Sequence, residues 1–208
     1  MSAVRIAGLR RTFGSVVALD DARLEAFEGE VHALVGENGA GKTTLLSILA
    51  GHLAPDAGTV ELDSRPLETG STRAAWAAGI GMVHQHFALV PRLTGEENLA
   101  LGVRRARGGW ALPTAWLRER VAAIREETGL YVDLDRPVEE LSIGERQRLE
   151  IVKVLLRDPR VLILDEPTAV LAPSEVDGLL ALLRRLATEG RAVLLVAHKL
   201  DEVLRVAD

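Results

Sequence analysis

A chain of 208 residues, 48% of them hydrophobic, can bury a sizeable core as one domain, with or without a subdomain. It has no cysteine, a formal net charge of -5, and no apolar run near the roughly 18 residues that a membrane helix needs. Those facts exclude a disulfide scaffold, a thiolate metal centre and a helical membrane span, and the charge gives no general reason to expect nucleic acid binding.

The opening MSAVRIAGLRRTFG lacks the apolar core of a secretory signal, so the chain reads as soluble and cytoplasmic. Residues 3–8, 22–27, 30–35 and 58–62 read as short strands with glycine between them. Phe13 precedes the long strands; it is either a core residue of a small β layer or a platform for an adenine face. Beyond it, apolar strands alternate with helices in the manner of a parallel α/β sheet, at 31–36, 79–84, 160–165 and 192–198. Each ends in a polar residue or glycine, at the edge where open α/β sheets place ligands.

The stretch GENGAGKT, Gly36 to Thr43, fits GxxxxGK[ST] between the first of these strands and the helix TTLLSILAG. Backbone amides of Gly36, Glu37, Asn38, Gly39, Ala40 and Gly41, with the helix start at Thr43 and Thr44, can cradle phosphates. Lys42 can reach the β- and γ-phosphates, and the Thr43 hydroxyl can ligate Mg²⁺. A nucleoside triphosphate is the expected ligand.

Gln85 follows the strand GIGMVH (79–84), where it can sense Mg²⁺ and an attacking water; otherwise it is a polar strand end. His84 and His86 flank it, without the cysteines or acidic cluster of a metal site. Residues 87–158 read as a helical insertion. Within it, Thr94 and Glu97 form a capping box for a helix to about Leu101, and 105–113 is a loop. An amphipathic helix runs from Thr114 to Thr128 and is stopped by Gly129, while Arg104–Arg107 reads as solvated. Ser142 and Glu145, in LSIGERQRLEI, form a further capping box for a helix that Pro159 ends.

The strand VLILDE (161–166) ends in two carboxylates: Asp165 suits Mg²⁺, and Glu166 suits orienting or deprotonating a water. Two adjacent carboxylates beside one cation fit hydrolysis better than transfer to a bulky acceptor. His198 closes AVLLVAH (192–198) at the same edge, within reach of a γ-phosphate. The chain then stops after a helix with no closing strand, which reads as a truncated domain.

The order phosphate loop, Gln85, LSIGE, VLILDE and His198 resembles the nucleotide-binding domain of ABC transporters over essentially the whole chain. The segments GMVHQHFALVPRLTGEEN (81–98) and LSIGERQRLEIVKVLLRDPRVLILDEPTAVLAPSE (141–175) are similar to bacterial importer ATPases for simple sugars and purine nucleosides. The resemblance implies an α/β P-loop NTPase of the ABC ATPase type. Its core (1–86 and 159–208) would combine a mostly parallel sheet with a small antiparallel β subdomain, and a helical subdomain (about 87–158) would follow the Gln85 strand. It implies ATP and Mg²⁺ as cofactors, with Thr43, Gln85 and Asp165 on the metal and Lys42, Gln85, Glu166 and His198 as the catalytic set.

The resemblance also implies a second cassette, in the same chain or as a dimer, with this one the first of a fused pair. Leu141, Ser142, Ile143, Gly144 and Glu145 would meet the γ-phosphate bound by that partner. Transmembrane permease subunits, and indirectly an extracytoplasmic binding protein, would complete the assembly on the inner face of the membrane, with no nucleic acid. Ile143 and Glu145 depart from the usual LSGGQ, and Ala172 stands where the pattern after the carboxylates ends in Asp. A soluble ABC ATPase acting on ribosomes or DNA, and a cassette that binds ATP only as a scaffold, are the competing readings.

Overall fold

The computed structural model describes residues 2–85, 87–107 and 114–208. His86 and most of the expected 105–113 loop fall outside them. In chain order the first elements are β1 (Ser2–Phe13), β2 (Val16–Phe27), β3 (Val31–Leu34) and α1 (Lys42–Leu49). Next come β4 (Ala57–Leu62), β5 (Arg65–Pro66), α2 (Thr72–Ala77) and β6 (Ile80–Val83). The helices α3 (Gly95–Arg107), α4 (Thr114–Thr128) and α5 (Ile143–Leu155) follow. The chain continues through β7 (Val161–Asp165), α6 (Pro173–Thr188), β8 (Ala192–Val196) and α7 (Leu200–Val206).

Two sheets form among the described residues. One is antiparallel, in the order β2-β1-β4-β5, and the other is parallel, in the order β3-β8-β7-β6. The strands predicted at 3–8 and 22–27 are too short: β1 and β2 form one long hairpin turning at Gly14. Charged Arg10, Arg11, Asp20 and Asp21 interrupt the apolar alternation there. The ladder also shifts register between Ile6 and Leu9, beside Gly8 (φ 63°) and Asp21 (φ 53°), so no simple period of two survives. The helix that Thr94 starts likewise runs past Leu101 to Arg107.

Every residue of β7 and β8 is buried, which accounts for their unbroken apolar sequence. Their side chains alternate between two hydrophobic clusters. Val161, Ile163, Leu194 and Val196 join α1 and the antiparallel sheet, whereas Leu162, Leu164, Val193 and Leu195 join α3 to α7. The helical insertion therefore shares a core with one face of the parallel sheet. No described helix is long and apolar enough to cross a membrane.

Candidate nucleotide site

Strand register brings the predicted residues to one edge. Leu34 pairs with Val196 and Val196 with Asp165, so the phosphate loop, Glu166 and His198 all leave the sheet at neighbouring C-terminal ends. Val83 pairs with Leu164, so Gln85 lies two residues beyond β6 as Glu166 lies two beyond Leu164. Parallel pairing aligns these ends, which is why residues far apart in sequence form one site.

The loop from Gly36 to Gly41 runs exposed from β3 to α1, with Glu37, Asn38, Gly39 and Ala40 open to solvent. Its curl is held by Lys42, whose Nζ donates to the carbonyls of Gly36 (2.7 Å) and Glu37 (2.8 Å). Gly41 starts α1 with φ 86° and lies against β2, where a Cβ would stand 2.5 Å from the Ala18 carbonyl. Glycine is needed there both for its backbone angle and for the close approach.

Thr43 Oγ1 lies 3.5 Å from Asp165 Oδ1, at the outer limit of a hydrogen bond. Asp165 is buried at 3% exposure, and burial raises its pKa above 3.8, countered by the Thr43 hydrogen bond. A buried carboxylate facing a hydroxyl beside a phosphate loop is a hard oxygen donor pair. Mg²⁺ takes such pairs, with phosphate and water filling its other positions. The residues present fit that ion.

Glu166 has φ 50°, a left-handed angle costing a non-glycine residue about 1 kcal/mol. Its N–H donates to the Val196 carbonyl at 3.1 Å, which holds it there. Its carboxylate is gripped on both sides: Oε1 lies 2.5 Å from His198 Nε2, and Oε2 accepts from Gln85 Nε2 at 3.3 Å. Gln85 is thus brought to Glu166, while its expected place beside Thr43 and Asp165 is not seen as a direct hydrogen bond. His84, partly buried and edge-on to His52 at 4.9 Å, has its pKa lowered chiefly by burial.

The other predicted residues lie apart from this centre. Phe13 is 44% exposed at the end of the β1–β2 hairpin, with the Arg11 guanidinium 5.0 Å from its ring centroid. It is not a core side chain. The segment Leu141–Glu145 begins α5 within the insertion, where Leu141 and Gly144 are buried and Ile143 is 48% exposed. Both halves of the Ser142–Glu145 capping box form, at 2.7 and 3.3 Å. Glu145 is held below the ordinary carboxylate range first by its backbone hydrogen bond from Ser142. Gly144 admits the Glu175 carboxylate, which would overlap any Cβ placed there. At Ala172 there is no side chain to cap α6, so Glu175 Oε2 alone accepts the Ala172 N–H, at 3.2 Å.

Sequence reasoning passed over Glu150 and Asn98, both buried at 4% exposure and bonded to the segment that follows Gln85. A carboxylate inside the apolar run LEIVKVLL was the available signal for Glu150.

Residues 19–169 match the family described as ABC transporter. The ribose import ATP-binding protein RbsA 2 of Burkholderia ambifaria is 45% identical over 99% of this chain and 40% of its own length. The nucleoside import ATP-binding protein NupA of Lactococcus lactis subsp. cremoris is 43% identical, again over 99% of this chain and 40% of its own length. The chain thus spans about 40% of the length of these curated relatives. Among solved structures, a nucleotide-free ATP-binding cassette from an ABC transporter superposes with a TM-score of 0.88. It is 28% identical and covers 100% of this chain and 86% of its own. A dimeric bacterial ABC transporter cassette matches with a TM-score of 0.84 and 26% identity, covering 98% and 91% of the two chains.

Proposed function

The chain belongs to the ABC transporter family, and from that premise we propose that it binds ATP with Mg²⁺ and hydrolyses ATP to power a bacterial importer. The observation that carries this reading is Glu166, fixed between His198 and Gln85, next in sequence to the buried Asp165 that faces Thr43 of the phosphate loop. Residues 36–44 cradle the phosphates with backbone amides, and the Lys42 ammonium sits where their charge gathers. Thr43 and Asp165 would hold Mg²⁺, which when bound would neutralise charge on the phosphate oxygens. Glu166 orients a water and takes its proton as the oxygen attacks the γ-phosphate, giving ADP and inorganic phosphate. His198 and Gln85 keep that carboxylate aimed. Phe13, exposed on the hairpin that packs on Gly41, offers a face to adenine.

We treat residues 1–208 as one cassette, with core 1–86 and 159–208 and a helical subdomain near 87–158. Its partner is a second cassette, in the same chain or as a dimer, whose bound γ-phosphate meets Leu141–Glu145. A cavity of about 340 Å³ between β6, α3 and α5, lined by His84, Ala88, Val90, Glu150 and Lys153, would receive a cytoplasmic helix of the permease. With that partner the protein would sit on the inner face of the membrane. Likeness to ribose and nucleoside import proteins supports a nucleoside or simple sugar as cargo.

The test is Glu166→Gln in the full-length protein. ATP hydrolysis should fall at least about 100-fold while ATP affinity survives, as expected for loss of a general base. Unchanged turnover would remove Glu166 from its role.

A further inference from the structure

Glu166 and His198 both stand just past the ends of their strands, β7 and β8. The ladder fixes Asp165 against Val196 but does not by itself hold the two side chains that follow. A second bond joins the two loops beyond that point. Thr168, two residues after Glu166, donates its hydroxyl to Glu202 Oε2 at 2.6 Å. Glu202 lies in the first turn of α7, four residues after His198. Both Thr168 and Glu202 are buried, at 6% exposure each. The other oxygen of Glu202 accepts from Lys199, the residue next to His198, at 3.0 Å.

The segments between these groups are short and braced. Pro167 fixes one backbone angle between Glu166 and Thr168. The Ala169 N–H donates to the Glu166 carbonyl at 3.3 Å, and the Glu202 N–H donates to the Lys199 carbonyl at 3.1 Å. The Glu166–His198 contact is thus one side of a closed ring, and the Thr168–Glu202 bond is the opposite side.

We propose that Thr168 and Glu202 are positioning residues that act through His198: their buried bond sets the spacing of the loops after β7 and β8, and so holds the imidazole against Glu166. The inference rests on the hydrolytic reading above. Thr168 and Glu202 bond to each other and to Lys199, so their influence reaches the site through the backbone of the two loops. A hydroxyl-to-carboxylate bond shielded from water resists stretching better than an exposed one, for which water competes. The bond also satisfies two buried polar groups, which alone would make it a matter of stability. Catalysis and stability therefore have to be read separately.

The test places Thr168→Val into the full-length protein and into its His198→Ala variant. Hydrolysis is followed as single turnovers with enzyme in excess, so that a slow background stays measurable, beside ATP affinity and urea denaturation. With His198 present, the hydrolysis rate should fall about ten-fold, as for a small misplacement of a reacting group, while ATP affinity stays within about two-fold. Thr168→Ser, which keeps the hydroxyl, should recover most of the rate. In the His198→Ala variant Thr168→Val should cost less than about a further two-fold, because the group it positions is gone. Should Thr168→Val not fold, Thr168→Ala removes the same hydroxyl without setting a methyl group against the carboxylate, and the same outcomes decide. Equal rate losses with and without His198, or lost stability with an unchanged rate, would overturn the positioning role. So would an unchanged rate in His198→Ala itself. Absence of hydrolysis in the unsubstituted protein would count against the hydrolytic reading, whereas a loss independent of His198 in a protein that hydrolyses ATP would count against this inference only.

Discussion

The hydroxyl of Ser142 accepts the Glu145 amide at 3.3 Å, while Glu145 Oε2 accepts the Ser142 amide at 2.7 Å. In this conformation both side chains are committed to starting α5, so a Ser142 hydroxyl turned to a partner's phosphate must first leave its cap. Ser142→Ala is expected to destabilise the fold by about 1 kcal/mol, the usual loss for an N-cap serine, read from urea denaturation. If the hydroxyl also meets a γ-phosphate across a dimer, turnover in the assembled protein should fall as well. Stability loss with turnover intact would leave Ser142 as a cap alone. The capping box was legible in the sequence because both partners lie within one helical turn. The Glu150 contact with Ala88, 62 residues away, was not, since no local period announces it.

At the scale of elements, the β1–β2 hairpin is held near Phe13 by Asp56. The Asp56 carboxylate accepts from the Thr12 hydroxyl at 2.6 Å and the Thr12 N–H at 2.7 Å, and it pairs with Arg11 at 2.9 Å. These bonds, the Thr12 hydroxyl first, lower its pKa below 3.8. A depressed folded-state pKa gives stability that is present above the unfolded value and lost as pH falls through the folded one. Asp56→Asn should therefore be less stable than the parent at neutral pH, with the gap shrinking as pH is taken well below 3.8, measured by denaturant midpoints. A second joint ties α5 to α6, where Glu175 reaches over Gly144, pairs with Arg148 at 3.5 Å and half-caps α6 at Ala172. A methyl group at Gly144 would push that carboxylate away. Gly144→Ala should cost about 1 kcal/mol, and nothing further once Glu175→Ala is already present, in a double-mutant cycle. Gly144 was visible in the sequence as the one glycine of LSIGE; the carboxylate that lies over it came from another helix.

For the whole molecule, the two hydrophobic clusters meet at the parallel sheet, with the hairpin and α1 on one side and the helical insertion on the other. The phosphate loop and Leu141–Glu145 belong to these different sides. Ser142 and Glu145 find their polar partners within the insertion: each other and, for Glu145, Arg136 at 3.5 Å. A head-to-tail pair of cassettes would bring each of these surfaces to its counterpart on the partner. The expected outcome is ATP-dependent pairing of the two cassettes that Glu166→Gln makes long-lived, seen as slowed amide exchange across Leu141–Glu145 with ATP and its absence with ADP. An ATP-saturated Glu166→Gln protein with no association between cassettes would argue against the paired site.

Sequence alone determined the phosphate loop, the Asp165–Glu166 strand end, the Ser142 helix start and the alternation of strand and helix. Each is written in residues adjacent along the chain, where backbone angle, capping and hydrophobic period act locally. Only the tertiary structure decided the grip of His198 and Gln85 on Glu166, the exposure of Phe13, the Glu175 carboxylate over Gly144 and the Glu150 hydrogen bond to Ala88. Those depend on strand register and on helices packed across a shared core, where contacts between residues distant in sequence are set by three-dimensional fit and hydrogen-bond satisfaction.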